Sequence, residues 1–153
     1  MGESTKPTVA KPRPIVTRQD EPYWNYLRQH EFRLQCCGAC GTFRFPASPL
    51  CAQCGSTESE WKRCSGRGEV FSWVVFHKSY FPGFDAELPY NVAMVRLDEG
   101  PMFIANIVGT RNEDIYRSMQ VEIFFDDDTQ PDLTIPRLRA RARCPTPNAE
   151  PRP

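Results

Sequence analysis

Five short apolar stretches, some of them alternating with polar positions, lie between residues 69 and 139. Each is rich in β-branched and aromatic residues: EVFSWVVFHK (69–78), YNVAMVRLD (90–98), PMFIANIVG (101–109), QVEIFFD (120–126) and LTIPRLR (133–139). This composition and period predict β-strands. Glu99-Gly100 is a tight-turn signal and predicts a hairpin between the second and third strands. Pro136 cannot donate to a ladder, so the last strand is expected at an edge. Five such strands indicate a small, closed or partly closed barrel of the OB type.

A different period precedes these strands. Residues 20–30, DEPYWNYLRQH, have a mixed apolar stripe at helical spacing, formed by Tyr23, Trp24, Leu27 and His30. Asp20 is a candidate N-cap, and Pro22 lies early, where its missing N–H does no harm. The segment therefore predicts a short helix. Its stripe packs against the same chain or, if it is exposed, forms a docking surface.

Four of the seven cysteines form two C-x-x-C pairs, Cys37/Cys40 and Cys51/Cys54, and a glycine follows each pair. Two tight turns with two thiolates each are typical of a double-knuckle metal site. Four sulfurs complete a tetrahedral Zn²⁺ shell, so the metal is expected to be structural. Iron in a rubredoxin-like site is the chemical alternative, because the same thiolates bind it. The odd total of seven cysteines and the regular spacing of the two C-x-x-C pairs both argue against disulfides.

The three remaining cysteines lie outside this pattern. Cys36 is interpreted as a spare thiol, because using it in place of Cys37 would make a C-x-x-x-C pair. Cys64 follows a Trp and two basic residues, which would fit a reactive thiol of lowered pKa. The simpler interpretation is a small, half-buried residue before the SGRG turn. Cys144 lies in an Arg- and Pro-rich segment and is assigned no role.

The 153 residues have zero formal net charge, but the charge is unevenly distributed. Residues 1–20 carry +2, residues 137–153 carry +4, and the segment between them carries −6. Seven of the 15 prolines lie in the two ends, by position 14 or from 145 onward. Such ends are expected to be solvated tails. The predicted organisation is a tail (1–18), a helix (19–34), a zinc ribbon (35–64), an OB-fold (65–138) and a second tail (139–153).

Neither an apolar stretch long enough to cross a bilayer nor a signal-peptide core is evident, so a cytoplasmic protein without a membrane partner is expected. The sequence contains only two histidines and predicts no catalytic constellation of its own. Three consecutive acids, Asp126-Asp127-Asp128, lack the regular spacing of a Mg²⁺ or Ca²⁺ loop and are interpreted as a solvated loop.

The segment after the first barrel strand is the best recognition element in the chain. It carries an unusual apolar load for a connection, and loops that expose aromatic rings tend to contact partners or ligands. His77 and Lys78 at the strand end are further candidates for meeting a phosphate or a thioester carbonyl, although the simpler interpretation of His77 is a strand-end residue with local hydrogen bonds. The candidate contact residues are His77, Lys78, Tyr80, Phe81, Phe84 and Tyr90.

The order of these motifs resembles a known family. A YW-containing helix precedes the two C-x-x-C-G knuckles, and these are followed by Glu60-Trp61, an SGxGxV turn (65–70), a VVxH strand (74–77), LDEG (97–100) and IPRL (135–138). The chain resembles the family known as domain of unknown function 35 over residues 18–140. The resemblance implies a rubredoxin-like zinc ribbon joined to an OB-fold. Cys36 departs from the family pattern, as does the longer Pro/Arg tail.

The resemblance also implies a function. Such proteins are acyl-CoA-associated accessory subunits that partner a thiolase-like large subunit, and the catalytic residues belong to that subunit. The small subunit of a thiolase that acts on an aryl-substituted acyl-CoA such as benzoylsuccinyl-CoA, in anaerobic toluene breakdown, is similar in its aromatic loop and length. The leading hypothesis is therefore a non-catalytic, zinc-binding thiolase subunit that shapes the pocket for a coenzyme A thioester.

Two other classes of function are compatible with the motifs. OB barrels and zinc ribbons often bind single-stranded nucleic acid, but that requires a basic groove, whereas the folded body carries −6. Only the Arg-rich segment from Arg137 to Arg143 could attract phosphate. The third hypothesis is an electron-transfer protein that holds iron in the four-cysteine site.

Overall fold

The computed structural model describes residues 11–81, 83–128 and 132–141. This part of the chain forms one α-helix and nine strands, which confirms the mainly β class. The helix is α1 (Glu21–Arg28). The strands are β1 (Arg33–Cys37), β2 (Phe43–Arg44), β3 (Ser59–Arg63), β4 (Arg67–Phe76), β5 (Tyr90–Leu97), β6 (Met102–Ala105), β7 (Ile107–Val108), β8 (Gln120–Asp126) and β9 (Ile135–Ala140). None of the described helices is long and apolar enough to cross a membrane.

Helix α1 is shorter than the predicted 20–30 segment. It ends at Arg28, and His30 adopts a positive φ of 55°, which is incompatible with a continuing helix. Asp20 occupies the N-cap position as predicted, but its side chain makes no capping hydrogen bond, because its carboxylate accepts from the Thr17 hydroxyl (2.6 Å). Tyr23 and Leu27 are buried, so the helix packs its apolar stripe on the same chain.

The first sheet is the ribbon. β1 is its central strand and pairs antiparallel with β2 on one side and β3 on the other. Cys36 lies opposite Phe43, and Cys37 lies opposite Ser59. β1 is buried almost throughout, whereas β3 is mostly exposed. Cys37, the first cysteine of the first pair, is thereby the last residue of the central strand, and Cys40 lies in the turn that follows.

The second sheet has the strand order β6-β5-β4-β8-β9-β7. β6 and β7 are successive parts of the predicted 101–109 strand, so the sheet closes on itself as an OB-type barrel. Asn106 separates the two parts. β6 pairs antiparallel with β5, and β7 pairs parallel with β9. The Glu99-Gly100 hairpin is confirmed, with the Gly100 N–H donating to the Leu97 carbonyl (2.9 Å).

The expectation that the last strand lies at an edge is wrong. β9 lies between β8 and β7. Pro136 is opposite Phe125 of β8, but β7 reaches only Leu138 and Arg139. The proline therefore occupies a position with no partner strand on the β7 side, where its missing N–H is tolerated.

Helix, ribbon and barrel share one core. The Phe32 ring meets the Phe103 ring edge to face (5.4 Å between centroids), and the Phe45 ring lies 5.0 Å from Phe103. Leu27 and Leu34 are fully buried in the same cluster as the barrel residues. The ribbon is thus fixed on the barrel by side-chain packing in a shared core.

The segments predicted as tails are only partly described, since residues 1–10 and 142–153 lie outside the described residues. Residues 11–18 form neither helix nor strand, yet the Lys11 ammonium pairs with Glu87 and lies over the Phe84 ring, 5.3 Å from its centroid. At the other end, β9 continues to Ala140, and Arg139 pairs with Glu122 (2.8 Å). The described parts of both predicted tails therefore make contacts with the folded part of the chain.

Candidate metal centre and contact surface

Two turns of the same geometry present the four cysteines. In the first turn the Gly41 N–H donates to the Cys37 carbonyl (2.9 Å), and in the second the Gly55 N–H donates to the Cys51 carbonyl (2.8 Å). Gly41 and Gly55 have φ values of 72° and 74°, a region that residues with a side chain rarely adopt. The glycine after each pair is therefore required by the turn.

The turns bring four sulfurs into one cluster. The Sγ atoms of Cys37, Cys40, Cys51 and Cys54 all lie within 4.8 Å of one another. The Cys37–Cys54 and Cys40–Cys51 Sγ distances are both 3.6 Å. Four sulfurs placed tetrahedrally 2.3 Å from Zn²⁺ would be about 3.8 Å apart. The cluster has the size, the ligand type and the ligand number of a Cys₄ zinc site.

The electrostatics of the cluster also fit a cation. Hydrogen bonding to the side chain and backbone of Thr42 lowers the pKa of the Cys40 thiol to about 6. The Ser56 backbone favours the Cys54 thiolate, but the adjacent Cys40 and Cys37 sulfurs outweigh it and raise the pKa of Cys54 to about 12. Four sulfurs this close cannot all be thiolates unless a positive ion lies among them.

Cys36 and Cys64 lie apart from the cluster. The Cys36 side chain is buried, and its Sγ is 3.3 Å from the Gly41 carbonyl oxygen. Burial and the nearby Glu99 carboxylate raise the pKa of the Cys64 thiol to about 11, which disfavours a reactive thiolate. Cys144 lies outside the described residues.

The predicted contact residues separate into a supporting and a projecting set. The Tyr90 ring stacks on Phe76 (5.1 Å) and contacts Phe84 (5.8 Å), so these rings support the loop. Tyr80 and Phe81 project, with 67% and 60% of their surface exposed. The other two candidates, His77 and Lys78, are exposed at the end of β4.

An adjoining apolar surface was not among the predicted contact residues. On the outer face of the barrel, Val74 is opposite Val92, and Met94 is opposite Ile104. Val74 and Ile104 are more than half exposed. We call this set, Val74, Val92, Met94 and Ile104, the outer apolar face. The sequence signal for this face is that both sides of the 69–78 strand are apolar, although only the side that faces the barrel interior needs to be.

Basic side chains border this face. The Arg96 and Arg117 guanidinium groups lie 5.5 and 5.6 Å from the Phe71 ring centroid. Phe71 is itself 41% exposed and occupies an irregular position in the β4–β5 register. An apolar centre with a basic rim is the composition of a protein-contact surface.

The Asp126–Asp128 run has structural contacts of its own. Asp126 and Arg137 form an ion pair whose two side chains are nearly buried. Asp127 accepts from the Thr134 hydroxyl (2.6 Å) and lies 2.8 Å from His30 Nε2, and these bonds lower the pKa of its carboxyl. Within the described residues, the four cysteines are the only cluster of three or more His, Cys, Asp or Glu side chains with metal-site geometry.

Comparison with known proteins agrees with this architecture. The family model described as "ChsH2, rubredoxin-like zinc ribbon domain" matches residues 24–60, and "ChsH2, C-terminal OB-fold domain" matches residues 61–126. A DUF35 domain-containing scaffold protein of Pyrococcus furiosus is 35% identical over 114 residues, which cover 69% of this chain and 82% of that protein. The chain belongs to the DUF35 family.

Two further relatives of this DUF35 protein are named as parts of enzymes. The "probable enoyl-CoA hydratase alpha subunit" of Thermomonospora curvata is 35% identical over 134 residues, 88% of this chain. The chain spans only 41% of that relative's length. A chain in the solved structure of the Ltp2-ChsH2(DUF35) aldolase superposes with a TM-score of 0.76 at 34% identity, over 84% of this chain and 98% of that one.

Proposed function

We propose that this DUF35 protein is a non-catalytic accessory subunit of an enzyme complex that acts on acyl-CoA thioesters. The observation that supports it most strongly is the similarity to a chain of the Ltp2-ChsH2(DUF35) aldolase, over 84% of this chain and 98% of that one. The relative named as an enoyl-CoA hydratase subunit supports the thioester class. The reacting residues then belong to a large subunit, and this chain contributes the wall or gate of its coenzyme A and acyl pocket.

The metal has a structural part in this proposal. Cys37, Cys40, Cys51 and Cys54 hold one Zn²⁺, which fixes the two knuckles to each other and contributes folding free energy. The four sulfurs complete its coordination shell. The chain's own part is to position these thiolates at the end of β1 and to anchor the ribbon on the barrel through Phe32 and Phe45.

The contact with the large subunit is assigned to the aromatic loop together with the outer apolar face. Tyr80 and Phe81 supply projecting rings, which are common anchors of interfaces. His77 and Lys78 at the end of β4 lie at the border with the thioester pocket. The basic rim of Arg96 and Arg117 would favour an acidic border on the large subunit.

The finer assignment is a thiolase-type large subunit that cleaves an aryl-substituted acyl-CoA, as in anaerobic toluene breakdown. The family resemblance and the aromatic loop support it. The relatives named as a hydratase subunit and an aldolase define the competing reactions. All three reactions act on a carbon skeleton next to a polarised carbonyl, and the same accessory subunit is compatible with each.

The test is affinity purification of the full chain from its native host, followed by assays of the captured complex. We expect a stoichiometric large subunit, and activity in one of three assays on acyl-CoA substrates: thiolysis, hydration or retro-aldol cleavage. Thiolysis alone would support the finer assignment, and either other reaction would replace it. A chain that co-purifies with single-stranded nucleic acid and no protein would contradict the proposal.

A further inference from the structure

Lys11 connects the N-terminal segment of the chain to the aromatic loop between β4 and β5. Its ammonium group forms an ion pair with the Glu87 carboxylate and lies over the Phe84 ring, 5.3 Å from the ring centroid. The Lys11 side chain is only 16% exposed, and that of Glu87 is 34% exposed. The contact therefore joins two segments that lie 76 positions apart in the chain.

Charged groups of the barrel also act on the Lys11 ammonium. Burial and the Arg137 guanidinium lower the pKa of Lys11, whereas Asp126 raises it. Asp126 and Arg137 form their own ion pair between β8 and β9. A cation that has lost most of its water needs a charged partner nearby. Glu87 supplies that partner, so the pair favours the arrangement in which the aromatic loop lies against the barrel.

The other end of the N-terminal segment is fixed near α1 and the ribbon. The Thr17 carbonyl accepts from the Asp20 N–H (3.0 Å) just before the helix begins. Pro14 and Phe45 line the same cavity between the helix and the ribbon. Residues 11–17 thus run from the helix to the aromatic loop, and we call them the N-terminal strap.

Backbone hydrogen bonds connect the strap contact to a projecting ring. The Phe81 carbonyl accepts from the Phe84 N–H (3.4 Å) and from the Ser79 hydroxyl (2.7 Å). The Glu87 N–H in turn donates to the Phe84 carbonyl (3.0 Å). A displacement of the residues that Lys11 contacts would therefore move Phe81 as well.

We propose that Lys11 is a positioning residue for the contact with the large subunit. It holds the aromatic loop against the barrel, in the orientation in which Tyr80 and Phe81 project. A loop that is already ordered loses less conformational entropy on binding, so the N-terminal strap raises affinity without supplying a contact of its own. Loop ordering by Lys11 depends only on contacts within this chain, whereas the gain in affinity rests on the proposed function.

Chymotrypsin cleavage of the zinc-loaded full chain tests the ordering of the loop. Cleavage after Tyr80 or Phe84, identified by mass spectrometry, measures how often the loop opens. Lys11→Met keeps the apolar stem and removes the charge, so it should raise this cleavage rate at least about fivefold. Lys11→Arg keeps the ion pair and the ring contact and should restore the parent rate. Lys62→Met, which breaks the exposed pair with Glu60 on β3, is the matched control and should leave the rate unchanged.

Two further measurements separate local opening of the loop from a loss of overall stability. The urea midpoints of Lys11→Met and Lys62→Met should equal that of the parent chain. The effects of Lys11→Met and Glu87→Gln on the cleavage rate should be non-additive, because both variants remove the same pair. Unchanged cleavage of Lys11→Met, or a fall in its urea midpoint that accounts for the faster cleavage, would overturn the proposal.

Calorimetric titration with the large subunit tests the consequence for assembly. Lys11→Met should bind at least about fivefold more weakly than the parent chain, and Lys11→Arg should bind equally well. Faster cleavage with unchanged affinity would contradict the positioning role and leave the proposed function intact. A parent chain that binds no large subunit would overturn the proposed function, and with it the positioning role, while the cleavage result would stand.

Discussion

The Asn91 side chain forms hydrogen bonds with both backbone groups of Ile107, as a neighbouring strand would. Its Oδ1 accepts from the Ile107 N–H (2.7 Å), and its Nδ2 donates to the Ile107 carbonyl (2.9 Å). The same Nδ2 also donates to Asn112 Oδ1 (3.0 Å). The pairing of β6 with β5 ends at Ala105, and the pairing of β7 with β9 begins at Ile107. The buried Asn91 amide therefore satisfies the Ile107 backbone at the interruption where the chain changes partner strands and the barrel closes.

Replacing Asn91 with Ala should lower the free energy of unfolding by about 3 kcal/mol, because both backbone groups of Ile107 would lose a buried partner. Urea denaturation measures this. Asn25→Ala, whose amide bonds the exposed Arg28, is the matched control and should cost less than about 1 kcal/mol. Equal costs for the two variants would show that the Asn91 bridge does not hold the barrel closed.

Gly68 is fixed by close packing. A Cβ at this position would lie 2.3 Å from the Arg96 carbonyl oxygen and 2.8 Å from a Val95 methyl group. Gly68→Ala should therefore destabilise the protein by about 3 kcal/mol or more, since a backbone group must move. Gly100→Ala meets no atom within 4 Å and costs only the strain of its positive φ, about 2 kcal/mol. Thermal unfolding of the two variants should rank them in that order, and the reverse order would contradict the β4–β5 packing.

Cys40 lies in the metal centre, whereas Cys36, four residues earlier in the chain, lies outside it. Cys40→Ser should reduce bound zinc from about one per chain to nearly none and lower the thermal midpoint, because zinc binding contributes folding free energy. Cys36→Ser should keep its zinc, since the Cys36 Sγ lies beside the Gly41 carbonyl and outside the cluster. Elemental analysis measures the metal. A red protein with a visible thiolate-to-iron band would favour the electron-transfer hypothesis.

The aromatic loop should act on assembly and not on folding. Tyr80→Ser together with Phe81→Ser removes two exposed rings, so the unfolding free energy should change by less than about 1 kcal/mol while affinity for the large subunit falls by at least about tenfold. Phe124→Ser, on the exposed side of β8, is the control and should leave the affinity unchanged. Calorimetric titration measures both, and an unaltered double variant would remove the loop from the interface.

Local patterns predicted most of the architecture. Runs of β-branched and aromatic residues located the barrel strands, although β6 and β7 were predicted as one, and the C-x-x-C-G spacing predicted four sulfurs that the structure brings together. The interruption at Asn106 was missed because an apolar run such as 101–109 does not indicate where its pairing changes partners. The position of Pro136 was misjudged for the same reason, since strand order depends on which distant strand completes the barrel.

The sites were less accessible from the sequence. The projecting rings of Tyr80 and Phe81 were expected, but the outer apolar face requires knowing which side of β4 to β6 points outward.

We expect catalysis in the proposed complex to require this chain but not to occur on it. The most direct test is to purify the large subunit and this chain separately and to measure acyl-CoA turnover for each alone and for the two mixed. We predict no turnover by this chain, little by the large subunit, and full activity on mixing. Robust turnover by the isolated chain, or a large subunit that is fully active without it, would contradict the account.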